Sequence, residues 1–165
     1  MNFKIRKWEY SDAYKIASVH VNSWQTTYRG IISNDYLDSL DISERTKKWE
    51  KIFSDPNQKV FVSLEWEKIV WFATCGKSEE WEWYESTLSS IYLLAEYQWN
   101  GIWSKLFNEC KKYLQSLGCR SMYIWVLGDN PAKKFYEKMG GKYVSKKELL
   151  IGEEKYVELS YGWKL

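Results

Sequence analysis

The chain is short of histidine, cysteine, proline and long apolar runs, and each shortage closes off a class of function. Its 165 residues hold one histidine (His20), three cysteines (Cys75, Cys110, Cys119) and two prolines. One imidazole and three thiols without ligand spacing make a zinc site improbable. The same scarcity suits a reducing, cytoplasmic setting. No apolar stretch approaches the roughly 20 residues that a membrane-spanning helix needs. The opening residues, MNFKIRKWEY, lack the apolar core of a secretory signal and read as a first strand. Neither sign of charge is in excess, with 24 Lys and Arg against 22 Asp and Glu, so the footprint of a nucleic-acid binder is missing. The length fits one domain spanning residues 1–165, with enough chain to bury a core.

Glycine is outnumbered by tryptophan, nine against eleven. Indole needs a large pocket and a partner for its N–H, so tryptophan is ordinarily scarce. Several of these residues stand where glycine or another small residue is expected: Trp66, Trp71, Trp81, Trp83, Trp99 and Trp103. Trp66 is the plainest case, because Glu65-Trp66-Glu67-Lys68 joins two strand-like runs and a tight hairpin turn asks for positive φ. We read the set as glycines exchanged for tryptophan.

The periodicities give an element order. Phe3 and Ile5 alternate with polar neighbours as in a strand. Ser11-Asp12 is a helix cap, followed by Ala13, Ile16, Ala17, His20, Val21 and Trp24 at helical spacing. His20 falls on that apolar side, where a packed histidine outweighs a catalytic one. A short helix from Ser33 to Leu40 and another from Ile42 to Phe53 follow, the latter stopped by Asp55-Pro56-Asn57. Val60–Leu64 and Ile69–Ala73 form a hairpin. An acidic loop, SEEWEWYES, precedes a strand over Leu88–Leu94. A helix from about Gly101 to Leu117 ends at Gly118, a strand covers Met122–Val126, and Asn130-Pro131 opens a helix that stops at Gly140-Gly141. Two strands near Lys142–Leu150 and Lys155–Trp163 close the chain. Hairpins mixed with strand-to-helix crossovers imply an α/β (α+β) three-layer domain with a mixed sheet.

The stretch Ile91–Leu106, IYLLAEYQWNGIWSKL, is the centre of this order. A strand feeding a helix N-terminus aims free backbone N–H groups at one spot, and the helix dipole adds positive potential there. A phosphate is the usual occupant of such a place, although an ordinary strand–loop–helix joint has the same pattern.

Two segments carry a family likeness. Gln98-Trp99-Asn100-Gly101-Ile102-Trp103 partly matches the pattern Gln/Arg-x-x-Gly-x-Gly/Ala, and the run from Asn130 to Gly141, NPAKKFYEKMGG, is similar to Asn-x-x-Ala/x-x-Phe-Tyr-x-x-x-Gly-Phe. On these residues the chain resembles the GNAT superfamily of acyl-CoA-dependent N-acetyltransferases over essentially its whole length, and His20–Ile31 is similar to a subgroup of small single-domain bacterial members. The resemblance implies a mostly antiparallel sheet of about seven strands flanked by helices. It implies a transferase that moves an acetyl group from acetyl-CoA to a primary amine by direct attack, the acceptor being a small amine, an amino acid or a protein amino group.

The likeness also assigns residues. Gln98, Trp99, Asn100, Gly101, Ile102, Trp103 and Ser104 would hold the pyrophosphate of coenzyme A at the helix start. Tyr92, Leu93 and Leu94 would offer backbone groups to the pantetheine arm, lying along the strand like an added one where the paired strands splay. One strand N–H would polarise the thioester carbonyl. Tyr136 matches the general acid that protonates the departing thiolate, and Asn130 matches a residue that contacts pantetheine or holds its loop. Lys133 is a candidate for the phosphates. Each has a plainer reading too: Tyr136 as a sheet-packing ring, Asn130 as a helix cap, Lys133 as a solvated lysine. Trp24 and Tyr28 are candidates for the acceptor pocket or for core. Glu80 and Tyr84, in the acidic loop, are candidates for drawing in a cationic amine, or belong to a wet face. Trp103 departs from the pattern, since the backbone must approach the phosphate closely where a small residue is expected. An alternative reading is therefore a binding module of the same fold that has lost coenzyme A binding and turnover. The aromatic surface favours association into a homodimer without fixing it.

Overall fold

The alternation read in the sequence is realised as strands β1 (Phe3–Lys7), β2 (Gln58–Glu65), β3 (Lys68–Trp81), β4 (Tyr84–Leu93), β5 (Ser121–Leu127), β6 (Lys142–Ile151) and β7 (Glu154–Lys164). The 3.6-residue periodicities become helices α1 (Ala13–Thr27), α2 (Asn34–Asp38), α3 (Ile42–Phe53), α4 (Ile102–Ser116) and α5 (Ala132–Lys138). This computed structural model describes residues 3–97 and 102–165, and of Ile102 the backbone alone. The described strands form one seven-stranded sheet in the order β1-β2-β3-β4-β5-β7-β6. All neighbours are antiparallel except β4 and β5.

Each sheet face is covered by helices whose apolar stripe matches it. Leu106, Phe107, Cys110 and Leu114 of α4 pack with Trp71, Leu88, Ile91, Met122 and Trp163 on one face. On the other, Ile16 and Ala17 of α1 and Trp49 of α3 meet Val60, Val62 and Phe72. A third cluster, with Tyr28, Ile32, Leu37, Leu127 and Ile151, ties α1 and α2 to β5 and the β6–β7 hairpin. Among the described residues no helix is long and apolar enough to cross a membrane.

Two local expectations are corrected. SEEWEWYES is not a loop: β3 runs on to Trp81 and β4 starts at Tyr84, so the acidic residues sit on a long hairpin turning at Glu82-Trp83. Asp12 occupies the N-cap position of α1, yet its side chain does not cap that helix. Its oxygens instead accept from Arg6 Nη1 at 2.6 Å, Arg6 Nη2 at 3.0 Å and the Glu9 N–H at 2.8 Å. A bidentate guanidinium outcompetes a neutral amide for a carboxylate. Trp71, read as standing at a place for a small residue, is fully buried in the core beneath α4, with its indole N–H unpartnered among the described residues.

Trp66 does occupy a glycine-like place. It has φ 56°, the one positive value outside glycine among the described residues, and is 93% exposed. Positive φ at the first of two central hairpin residues is the position glycine fills in such turns. Gly118, at φ 81°, terminates α4 in the same left-handed conformation.

Candidate active site

β4 and β5 are paired in parallel at Ser86–Met122 and Thr87–Tyr123, and no pairing continues beyond. From Leu88 onward β4 keeps its β3 partner while its other edge faces open space. A bulge helps to turn it, since Ser90 pairs with Thr74 and Leu88 with Cys75, leaving Ser89 as the extra residue. The V between the strands is a cavity of about 480 Å³. Its walls are Ser89–Leu93 of β4, Ile124–Val126 of β5, Tyr28 at the end of α1, Trp103 and Ser104 at the start of α4, and Asn130 with Phe135 and Tyr136 around α5.

Tyr136 therefore stands in this wall, although it packs as well. Its ring lies 6.3 Å from that of Trp103, 6.1 Å from Trp163 and 6.4 Å from Tyr161. Burial, with the neighbouring Tyr92, pushes its phenol well above the ordinary tyrosine range, so the proton is held at neutral pH. Burial likewise raises Tyr92 and Tyr28. Asn130 does two things at once. Its Oδ1 accepts from the Ala132 N–H at 2.9 Å, starting α5, and its Nδ2 donates to the Tyr28 hydroxyl at 3.3 Å. Asn130 thus fixes Tyr28 against the cavity.

Ser23 fastens α1 to the end of β4, its hydroxyl donating to the Leu93 carbonyl at 2.8 Å in a buried contact. The Leu94 N–H is taken by the Val70 carbonyl at 3.2 Å, so that amide is committed to β3. Leu94 lines a neighbouring hollow beside α1, with Lys15, Asn22 and Lys68, rather than the V.

Trp103 is turned toward the core edge. Its ring meets Phe135 edge-on at 4.7 Å and Trp71 at 6.4 Å, and it forms part of the cavity wall. Ser104 donates weakly to Met139 Sδ at 3.7 Å. Gln98, Trp99, Asn100 and Gly101, with the side chain of Ile102, lie outside the described residues.

Besides Leu94, four expected residues are not gathered into the V. Lys133 Nζ donates to the Gly128 carbonyl at 2.5 Å, closing its own loop. Trp24 packs behind the wall, 4.9 Å from Tyr28 and 6.4 Å from Tyr92. Glu80 is held by the Tyr123 hydroxyl at 2.5 Å and by Lys147 Nζ at 3.2 Å. Tyr84 lies over β7, where a Cβ at Gly162 would come within 2.1 Å of its hydroxyl oxygen. Sequence reasoning missed Trp125, whose ring lines the V and carries Lys147 Nζ at 4.1 Å. It also missed Ser90, whose hydroxyl is buried at the wall without a partner. The period-2 pattern of β5 was the available signal for the first.

A parallel pair that opens into a cavity below a strand-to-helix junction, inside a seven-stranded mostly antiparallel sheet, is the architecture of the acyl-transferring class described from the sequence. The comparisons with known proteins agree. A sequence model of the Acetyltransferase (GNAT) family matches residues 20–141. An uncharacterized N-acetyltransferase, YuaI of Bacillus subtilis (strain 168), is 36% identical over 162 residues, covering 96% of this chain and 91% of that protein. The PaiA N-acetyltransferase of Thermoplasma acidophilum, solved in complex with coenzyme A, superposes with a TM-score of 0.79 at 23% identity, covering all of both chains. A GCN5-related N-acetyltransferase structure from Rhodopseudomonas palustris gives 0.81 at 16% identity, covering 100% of this chain and 97% of that one. The chain belongs to the GNAT acetyltransferase family.

Proposed function

We propose that this protein transfers an acetyl group from acetyl-CoA to a primary amine by direct attack of the amine nitrogen. The observation that carries the reading is the β4–β5 opening after Thr87, with Tyr136 in its wall. The residues present suit the thioester arm. An unpaired strand edge offers backbone donors and acceptors to an amide-bearing chain, and the flanking Ile91, Leu93, Ile124 and Val126 suit its apolar stretches. The Thermoplasma neighbour was solved with coenzyme A, which supports placing the same donor here.

In this reading the β4 amides orient the thioester carbonyl, and Tyr136, kept protonated by burial, donates to the leaving sulfur. The test is release of free thiol from acetyl-CoA in the presence of amino acids, polyamines and lysine peptides. Tyr136→Phe should lower kcat by about tenfold to a hundredfold with acetyl-CoA binding unchanged. Equal turnover in that variant removes Tyr136 from the mechanism.

One feature favours a second reading, a non-catalytic binding module. Trp103 puts an indole into the cavity wall beside Tyr136. The two readings part on added acetyl-CoA. A binding-competent enzyme at a hundredfold excess over Kd gains about 2.7 kcal/mol of stability, and a chain unable to bind the donor gains none.

A further inference from the structure

The V runs through the sheet, and its two mouths differ in chemistry. Successive strand residues face opposite sides. Ile91 and Leu93 of β4, with Ile124 and Val126 of β5, share the core beneath α4. Tyr92 and Trp125 alternate with them and therefore face the α1 side, where Tyr28 stands. All of these line the cavity. The mouth toward α4 and α5, with Tyr136, is the donor side of the reading above. The α1 mouth is left for the acceptor, and its large side chains are the rings of Tyr28, Tyr92 and Trp125.

Trp125 is half-buried and held in place. The Lys147 ammonium lies over its ring, 4.1 Å from the centroid, and Trp81 meets it at 5.5 Å and 65°. Lys147 is anchored in turn by Glu80 at 3.2 Å. One electron-rich face of the indole is thus already taken by a cation of the chain itself. Charge on the wall is scarce. Among the described residues no carboxylate lines the cavity, and its one charged lining residue is Lys138 of α5. Glu80 is spent on Lys147, and Glu158 stands opposite the same lysine in the β6–β7 register. Burial keeps the Tyr28 and Tyr92 phenols protonated, so neither adds negative charge.

We propose that Trp125 sets the acceptor class: a primary amine carried on an aromatic ring or an apolar body of ring size. That body lies against the indole while the nitrogen reaches the thioester. This rests on the acetyltransferase reading above and names the acceptor class that it leaves open. A multiply charged amine would give up its hydration here without gaining a counter-ion on the wall. A ring-bearing amine instead displaces water from aromatic surface and gains ring–ring contact. The amine nitrogen also has a place to turn. The Ser90 hydroxyl is buried at the wall without a partner, and its oxygen can accept one N–H.

The test uses the full chain, acetyl-CoA and phenethylamine, ethylamine and spermidine as probes. The wild type should show kcat/KM for phenethylamine about tenfold or more above the other two. Trp125→Ala should lower kcat/KM for phenethylamine by about tenfold, mainly through KM, and leave ethylamine within about twofold. Trp125→Phe, which keeps a ring, should retain the preference. Acetyl-CoA should stabilise all three proteins alike. A purely structural role for Trp125 lowers kcat/KM for every amine by the same factor, and that result overturns the assignment. The wild-type ranking tests it even where a variant fails to fold. A chain that acetyl-CoA stabilises but that favours spermidine or ethylamine, or turns over none of the probes, overturns the acceptor class alone. A chain neither stabilised by acetyl-CoA nor active on any amine overturns the acetyltransferase reading as well.

Discussion

The single histidine gives a clean test of how dry the α1 side of the sheet is. His20 is 8% exposed, and neither ring nitrogen has a hydrogen-bond partner. Its ring stacks on Tyr92 at 4.8 Å and lies 5.7 Å from Trp24, 5.8 Å from Trp49 and 5.8 Å from Phe72. Burial, aided by the charges of Arg45 and Lys48, lowers its pKa to about 3. An unfolded histidine titrates near pH 6.5. Below that pH the unfolded chain takes up a proton that the folded ring refuses. Stability is therefore intact above about pH 6.5 and declines by about 1.4 kcal/mol per pH unit as the pH falls toward 3. Between pH 7 and pH 5 the loss is about 2 kcal/mol. Urea unfolding at the two pH values should show it in the wild type and not in His20→Phe, with the carboxylates contributing equally to both. An equal loss in both proteins, or a histidine C2 proton resonance titrating near pH 6.5 in the folded state, would refute the burial.

Two further perturbations read single local devices. Trp66→Gly should stabilise: a side chain at positive φ costs about 1–2 kcal/mol, and the extra freedom of glycine in the unfolded chain returns about 0.5–1 kcal/mol. The net gain of about 0.5–1 kcal/mol corresponds to a few degrees in Tm. Trp66→Ala, which keeps a Cβ, should show no such gain, and equal melting of the two variants would remove the strain argument. Asp12→Asn should cost about 3 kcal/mol by leaving Arg6 without its bidentate partner. Burial alone would raise the Asp12 carboxyl, but the Arg6 and Glu9 hydrogen bonds outweigh it and hold it below the usual range. The Asp12 contribution is thus present above about pH 4 and lost as the pH falls through the depressed folded value, so wild type and variant should converge in acid.

Helix positions were legible because burial follows one stripe. The apolar residues of α4 recur at Leu106, Phe107, Cys110 and Leu114, and all four are buried against the sheet. The Trp66 turn was legible for the same kind of reason, since a two-residue connection between paired strands asks for positive φ. The β3–β4 hairpin beyond Thr74 was hidden because its charged residues alternate on a half-exposed ribbon, a pattern that a loop also shows. Asp12 misled because a carboxylate beside a helix start has more than one suitor, and Arg6, on the preceding strand β1, is a stronger one than the helix amides. Among the residues that line the V, Tyr136 and Asn130 were legible through their motif. Trp125 and Ser90 depend on where β4 parts from β5, and no local pattern encodes that.

Hydrogen exchange along β4 and β5, with and without acetyl-CoA, tests the central claim most directly. Occupation of the V predicts slower exchange at Ser89–Leu93 and Ile124–Val126, the segments that face each other across it. Exchange there that is indifferent to acetyl-CoA, or slowing confined to other parts of the sheet, would contradict the account.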